Sequence, residues 1–167
     1  MLVIANTTPL ILLAQRGLFF LLQHFYGRVL LPPAVWREVV EEGEGRAGQR
    51  ETEEARTAGW IEVRELQEHD TVHRLSGTFG LGLGETEVIV LAQECSADLL
   101  VLDDHRAVSR ARELGFMVRR TPGLLDLAKK QGLIATVREH LTALREEGLW
   151  LSDQVYHRIL QDVGEEP

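Results

Sequence analysis

Amide, hydroxyl and acidic side chains fall where two apolar runs end. Residues 2–5 form a short, branched run, too short for a helix, and Asn6-Thr7-Thr8 follows it. Residues 99–102 are wholly apolar and lead into Asp103-Asp104. Two adjacent carboxylates beyond a buried strand are poorly explained by packing, because buried like charges raise each other's pKa and oppose folding. A divalent cation removes that conflict. Glu38, between the apolar positions Val35 and Val39, and Glu85, at the start of a helix, can join them. Carboxylate, carbonyl and water are the ligands that Mg²⁺ and Mn²⁺ prefer. Such an ion clamps a phosphodiester oxygen and lowers the pKa of an attacking water, so the implied chemistry is phosphodiester hydrolysis.

Each residue also has a plainer reading. Asp103 or Asp104 could be no more than an N-cap of the next helix. Glu85 could merely complement a helix dipole. Glu87 reads as a solvated charge. The run Gly80-Leu81-Gly82-Leu83-Gly84 follows no clear strand and reads as a hinge or helix entry rather than a phosphate cradle. Residues 41–49 and 76–84 read as loops. His69 and His73 are four apart but lack the glutamate of a zinc-protease helix, so they read as surface histidines. Cys95 reads as core. Arg106, Arg110 and Arg112, with Arg119 and Arg120, form either a phosphate-facing patch or a solvated face.

The elements that must position these residues alternate. Strands are predicted over residues 2–5, 28–31, 60–63, 99–102 and 117–119. Helices are predicted from a cap among Asn6, Thr7 and Thr8, with Pro9 in the first turn, to about residue 15, over 18–25, after Pro32-Pro33, over 85–94 and over 104–114, where Gly115 ends the last one. Strands alternating with helices imply an α/β three-layer sandwich with a central parallel sheet of about five strands, in an order such as 3-2-1-4-5. Ligands of such sheets sit beyond the carboxyl ends at the switch point, which here falls between the first and fourth strands. Three further helices follow: 121–130, 136–147, and one capped by Ser152 with Val155, Ile159, Leu160 and Val163 on its apolar stripe. The expected organisation is one domain over 1–167, with a core of about 1–130 and a helical extension of about 131–167.

Composition narrows the function further. The chain has 167 residues, 44% of them hydrophobic and 26% charged, and suits a folded domain rather than a disordered one. A single cysteine excludes a disulfide framework and any multi-cysteine zinc site. The most apolar stretch, residues 10–25, is interrupted by Gln15, Arg16, Gln23 and His24, so no membrane span is expected. No basic segment precedes Leu2, and a cytoplasmic protein is expected. The net charge of −8 means that any nucleic-acid role rests on a local basic patch, a bridging cation or a basic partner. The basic residues are almost all arginine, with Lys129 and Lys130 the only lysines and Asn6 the only asparagine. Heat adaptation or a GC-rich genome would equally give that bias.

Four segments in order resemble the PIN-domain family of toxin-type ribonucleases, within a PIN-like branch. They are Val3-Ile4-Ala5-Asn6-Thr7-Thr8-Pro9-Leu10-Ile11, Pro32-Pro33-Ala34-Val35-Trp36-Arg37-Glu38-Val39, Gly84-Glu85-Thr86-Glu87-Val88-Ile89 and Ala97-Asp98-Leu99-Leu100-Val101-Leu102-Asp103-Asp104. The resemblance implies an Mg²⁺- or Mn²⁺-dependent endoribonuclease acting on RNA. Such proteins are often homodimeric and often held in check by a small antitoxin protein. Carried over by position, it places the first acid on Asn6, its hydroxyl partner on Thr8, and further acids on Glu38 and Glu85. The last falls on Asp103 or Asp104, of which Asp104 matches the usual position better. The implied metal ligands are Glu38, Glu85, Asp103 and Asp104, with Thr8, Arg106 and Arg110 toward the substrate. Asn6 departs from the pattern, which usually has Asp there. An amide oxygen can ligate a metal but brings no charge. The alternative is therefore a catalytically weak or silent PIN-like module that binds nucleic acid or protein. A signalling receiver, which has a similar sheet, would need an acid pair after the first strand and a lysine after the fifth. This chain has Asn6-Thr7-Thr8 and Arg119-Arg120 there.

Overall fold

Val3–Ala5 (β1), Val29–Leu31 (β2), Ile61–Val63 (β3), Leu99–Val101 (β4) and Met117–Arg119 (β5) form one parallel sheet ordered β3-β2-β1-β4-β5 in the computed structural model, which describes residues 1–167. The expected α/β architecture and strand order are both present. Every residue of β1, β2 and β4 is buried. Side chains alternate along a strand, so both faces at the middle of the sheet are covered. The edge strands β3 and β5 are only partly buried. Ala5 pairs with Val101, and the Asn6 N–H extends this ladder to the Val101 carbonyl at 3.0 Å. The chain therefore leaves β1 and β4 side by side.

The helices are Thr7–Gln15 (α1), Phe20–Tyr26 (α2), Pro33–Trp36 (α3), Gln49–Thr57 (α4), His69–Phe79 (α5), Leu83–Cys95 (α6), His105–Glu113 (α7), Thr121–Lys130 (α8), Val137–Glu146 (α9) and Asp153–Asp162 (α10). Two of them were not expected. α4 buries only Thr52 and Ala55, and α5 only Val72, so neither carries an apolar stripe that a periodicity reading could find. The loop expected over 76–84 shrinks to residues 80–82. Gly80, at φ +62°, ends α5 in the left-handed region where glycine is favoured.

The segment after β2 is also unlike an ordinary helix. α3 has only four residues and passes into a π turn, Arg37–Glu41, closed by a bond from the Glu42 N–H to the Arg37 carbonyl at 2.8 Å. The wider turn inserts a residue and re-aims the side chains on it, and such turns recur at functional sites. Gly43 completes it, since a Cβ there would meet the Val39 carbonyl oxygen at 2.1 Å.

By packing, the chain forms two compact units, Met1–Arg119 and Arg120–Pro167. The first contains the whole sheet. Within the second, the Glu165 carboxylate accepts from Val137 N at 2.6 Å, Arg138 N at 2.8 Å and Thr136 Oγ1 at 2.9 Å, with Lys129 Nζ at 3.4 Å. It thereby caps the start of α9. No helix of the protein is long and apolar enough to cross a membrane.

Burial alone would raise the Glu165 pKa, but the bonds from Val137, Arg138, Thr136 and Lys129 outweigh it and lower it to about 2. The charged form thus favours folding above the ordinary value of 4.5, and that contribution is lost as pH falls toward 2. Glu165→Gln is expected to destabilise the protein by about 0.5–2 kcal/mol at pH 7. Urea unfolding followed by circular dichroism should show the gap between the two proteins narrowing between pH 4.5 and pH 2.

Candidate functional site

Asn6 stands in the N-cap position of α1 by its backbone, yet its side chain makes no capping bond. It is 0% exposed, and its Nδ2 donates to Glu85 Oε1 at 3.2 Å, from the end of β1 to the first turn of α6. Its Oδ1 is buried and has no hydrogen-bond donor. Gly84 lies against this oxygen. A Cβ on Gly84 would meet Glu38 Oε1 at 2.9 Å, Glu38 Oε2 at 3.1 Å and Asn6 Oδ1 at 3.3 Å. Glycine is thus what lets the π turn, α6 and the end of β1 converge. The short side of α6 faces a carboxylate and a bare amide oxygen.

Glu38 is half-buried. Burial raises its pKa, a hydrogen bond from Thr7 lowers it, and the charges of Glu85, Glu42 and Glu87 raise it again, leaving a net upward shift. Thr7 Oγ1 donates to Glu38 Oε2 at 2.5 Å. Thr7, which the sequence did not single out from Thr8, is the hydroxyl that engages Glu38. The two are one helical step apart, and the start of α1 turns Thr7 toward the π turn.

Glu87 requires a correction. It is not a solvated charge: it is 8% exposed, and its Oε2 accepts from Ala34 N at 2.7 Å. It ties α6 to the start of α3, the segment that carries Glu38. A signal for this was present in the sequence. Val88-Ile89-Val90-Leu91-Ala92 is apolar all round and entirely buried, and a helix buried on every side leaves little room for a solvated residue at its edge.

The two aspartates after β4 separate. Asp103 is 5% exposed. Asp104 is exposed, and its Oδ1 accepts from Ala107 N at 2.9 Å as the N-cap of α7. The plain capping reading therefore holds for one member of the pair. No group of three or more His, Cys, Asp or Glu side chains stands ready to enclose a metal ion.

The remaining candidates sit as follows. Arg110 lies over the Phe79 ring, 4.4 Å from its centroid, and bonds Glu113 at 2.8 Å. Arg106 is exposed on the same face of α7, one turn earlier. Arg112 is exposed. Arg119 lies beside Tyr26, and Arg120 donates to the Trp150 carbonyl at 3.0 Å. Cys95 is not core: it is half-buried at the end of α6, where its thiol donates to the Leu91 carbonyl. His69 and His73 are exposed, as their spacing implied.

A family profile described as a PIN domain matches residues 2–165. No curated protein matches the chain.

Two outcomes follow from this geometry. A carboxyl whose pKa is raised on folding is a liability once ionised, so stability falls as pH rises from 4.5 through the raised value. With divalent ions chelated, Glu38→Gln should match the natural protein at pH 4 and exceed it at pH 7.5 by about 1 kcal/mol in urea unfolding, the ordinary scale of one substitution. Gly84→Ala should lower the melting temperature, because its Cβ would stand 2.9 Å from Glu38 Oε1 and 3.3 Å from the fully buried Asn6 Oδ1, which outweighs the better helix propensity of alanine. It should also push the Glu38 carboxylate off Thr7, seen as a shifted Glu38 carboxyl ¹³C resonance.

Proposed function

The chain belongs to the PIN-domain family, and on that premise we propose that it is an Mg²⁺- or Mn²⁺-dependent endoribonuclease. The observation that carries this reading is the bare, buried Oδ1 of Asn6 beside the Glu38 carboxylate across Gly84. A buried acceptor without a donor costs about 1–3 kcal/mol, and a second acceptor close by adds repulsion. A hard cation answers both at once.

The donor set fits such an ion. Amide and carboxylate oxygens are what Mg²⁺ and Mn²⁺ take. Mg²⁺ is commonly held by one or two carboxylates together with water and substrate phosphates. Glu38 and Asn6 Oδ1 would hold the ion, with Glu85 and the buried Asp103 as the further acids. Asp104 serves as the cap of α7. When bound, the ion supplies charge stabilisation at the phosphate and a more acidic attacking water. The chain's own residues do the positioning. Thr7 engages Glu38 Oε2 and leaves Oε1 available. Asn6 Nδ2 aims Glu85. Glu87 anchors the start of α3 and so the π turn.

A second reading rests on Asn6 itself. An amide where a carboxylate is usual removes one negative charge from the site, and this favours a module that binds RNA or a protein partner with little or no cleavage. The family resemblance adds the expectation of a cytoplasmic homodimer restrained by a small antitoxin protein, with the chain as its toxin.

The test pairs calorimetry with cleavage of a labelled single-stranded RNA. Mn²⁺ is expected to bind, more tightly at pH 7.5 than at pH 5.5 because Glu38 must be ionised. Glu38→Gln and Asp103→Asn should each lower the cleavage rate about 100-fold or more, while Asp104→Asn costs less. No Mn²⁺ binding at millimolar metal sinks the nuclease. A silent natural chain whose Asn6→Asp variant cuts RNA establishes the second reading.

A further inference from the structure

The rim of the site holds a flat, pinned cation that the carboxylate chemistry does not use. Phe79 is the last residue of α5 and leads through residues 80–82 into the first turn of α6, which carries Gly84 and Glu85. Arg110 stands on α7, the helix that leaves β4 through Asp103 and Asp104. The end of α5 thus meets the last turn of α7. There the Arg110 guanidinium is covered on one side by the Phe79 ring, at 4.4 Å, and held along its edge by Glu113 at 2.8 Å. The Arg110 side chain is still 38% exposed. The side chain is thus pinned by two partners and still reachable from solvent.

A flat cation pinned in this way and reachable from solvent is a stacking surface. Unpaired nucleobases stack on guanidinium planes and aromatic rings, whatever their sequence. The same face of α7 offers a second group one turn earlier. Arg106 is exposed and makes no ion pair or hydrogen bond. Two helix positions four apart lie about 6 Å apart along the axis, so a base on Arg110 would leave its phosphate within reach of Arg106. The chain as a whole is acidic, at −8, so phosphate contact depends on local free cations of this kind.

We propose that Phe79 and Arg110 form a shelf for one unpaired RNA base, with Arg106 on the adjoining phosphate, beside the carboxylate site. The proposal deepens the nuclease reading and rests on RNA being the substrate.

The experiment measures binding of two labelled 12-nucleotide strands by fluorescence anisotropy, in chelator so that neither is cut. One strand is oligoadenylate; the other is an abasic ribose-phosphate strand of equal length. The natural protein is expected to bind oligoadenylate more tightly. Phe79→Ala should weaken oligoadenylate about 5- to 100-fold and leave the abasic strand unchanged. Arg110→Lys, which keeps the charge but loses the plane, should do the same, and thermal melts identify any variant that has not folded. Phe79→Trp should retain binding and show indole fluorescence quenched by oligoadenylate alone. Arg106→Gln should weaken both strands equally and reduce the salt slope by about one. The shelf is overturned if the natural protein binds the two strands alike or not at all. It is also overturned if folded Phe79→Ala and Arg110→Lys bind oligoadenylate as tightly as the natural protein, or lose equal affinity for both strands. Cleavage with Mn²⁺ separates the two ideas: cutting with no shelf effect removes the shelf alone, and shelf-dependent binding without cutting removes the nuclease alone.

Discussion

Asn6 engages Glu85 with its amide nitrogen and leaves its amide oxygen fully buried beside the Glu38 carboxylate, with only a glycine between the chains. An isolated buried acceptor is costly, and the cost rises next to a second acceptor. Much of the surrounding structure acts to hold these oxygens where they are. The β1–β4 register sets Asn6 at the carboxyl end of the sheet. The π turn aims Glu38, and Gly43 and Gly84 allow the backbone and side chains to approach. Thr7 takes one oxygen of Glu38, and Glu87 fixes the segment from the other side.

Concentrated acid at one place also accounts for the raised pKa of Glu38. Burial is the leading cause, and the charges of Glu85, Glu42 and Glu87 add to it after the opposing bond from Thr7. The contrast with Glu165 is instructive. That carboxylate is also desolvated, but three bonds from the start of α9 and a lysine hold it ionised. One acid has its donors built in and strengthens the fold. The other lacks enough donors, and its charge is left for something else to balance. The role proposed for Glu38 rests on that asymmetry.

In the proposed reading an acidic protein meets an anionic strand through local cations. Arg50 and Lys130 are paired with neighbours on their own helices. Arg106 is not, and it stands one turn from Arg110 on α7.

The amino-acid sequence by itself determined the layered parallel sheet and its order. Apolar three- to four-residue runs between amphipathic helices leave few other arrangements, and right-handed crossovers select among them. It also placed Asn6 and Asp103 at neighbouring strand ends and Glu38 and Glu85 on the helices beside them. Only the tertiary structure decided the rest. α4 and α5 bury too little apolar surface to show a period. Asp103 and Asp104 are consecutive, and which is buried depends on how α7 departs from β4. Thr7 and Thr8 are consecutive too, and a rotation of about 100° at the start of α1 selects the first. The bond from Ala34 to Glu87 joins segments far apart in the chain. Local propensity carries no record of such contacts, because it describes each residue with its neighbours in sequence, not with those that folding brings against it.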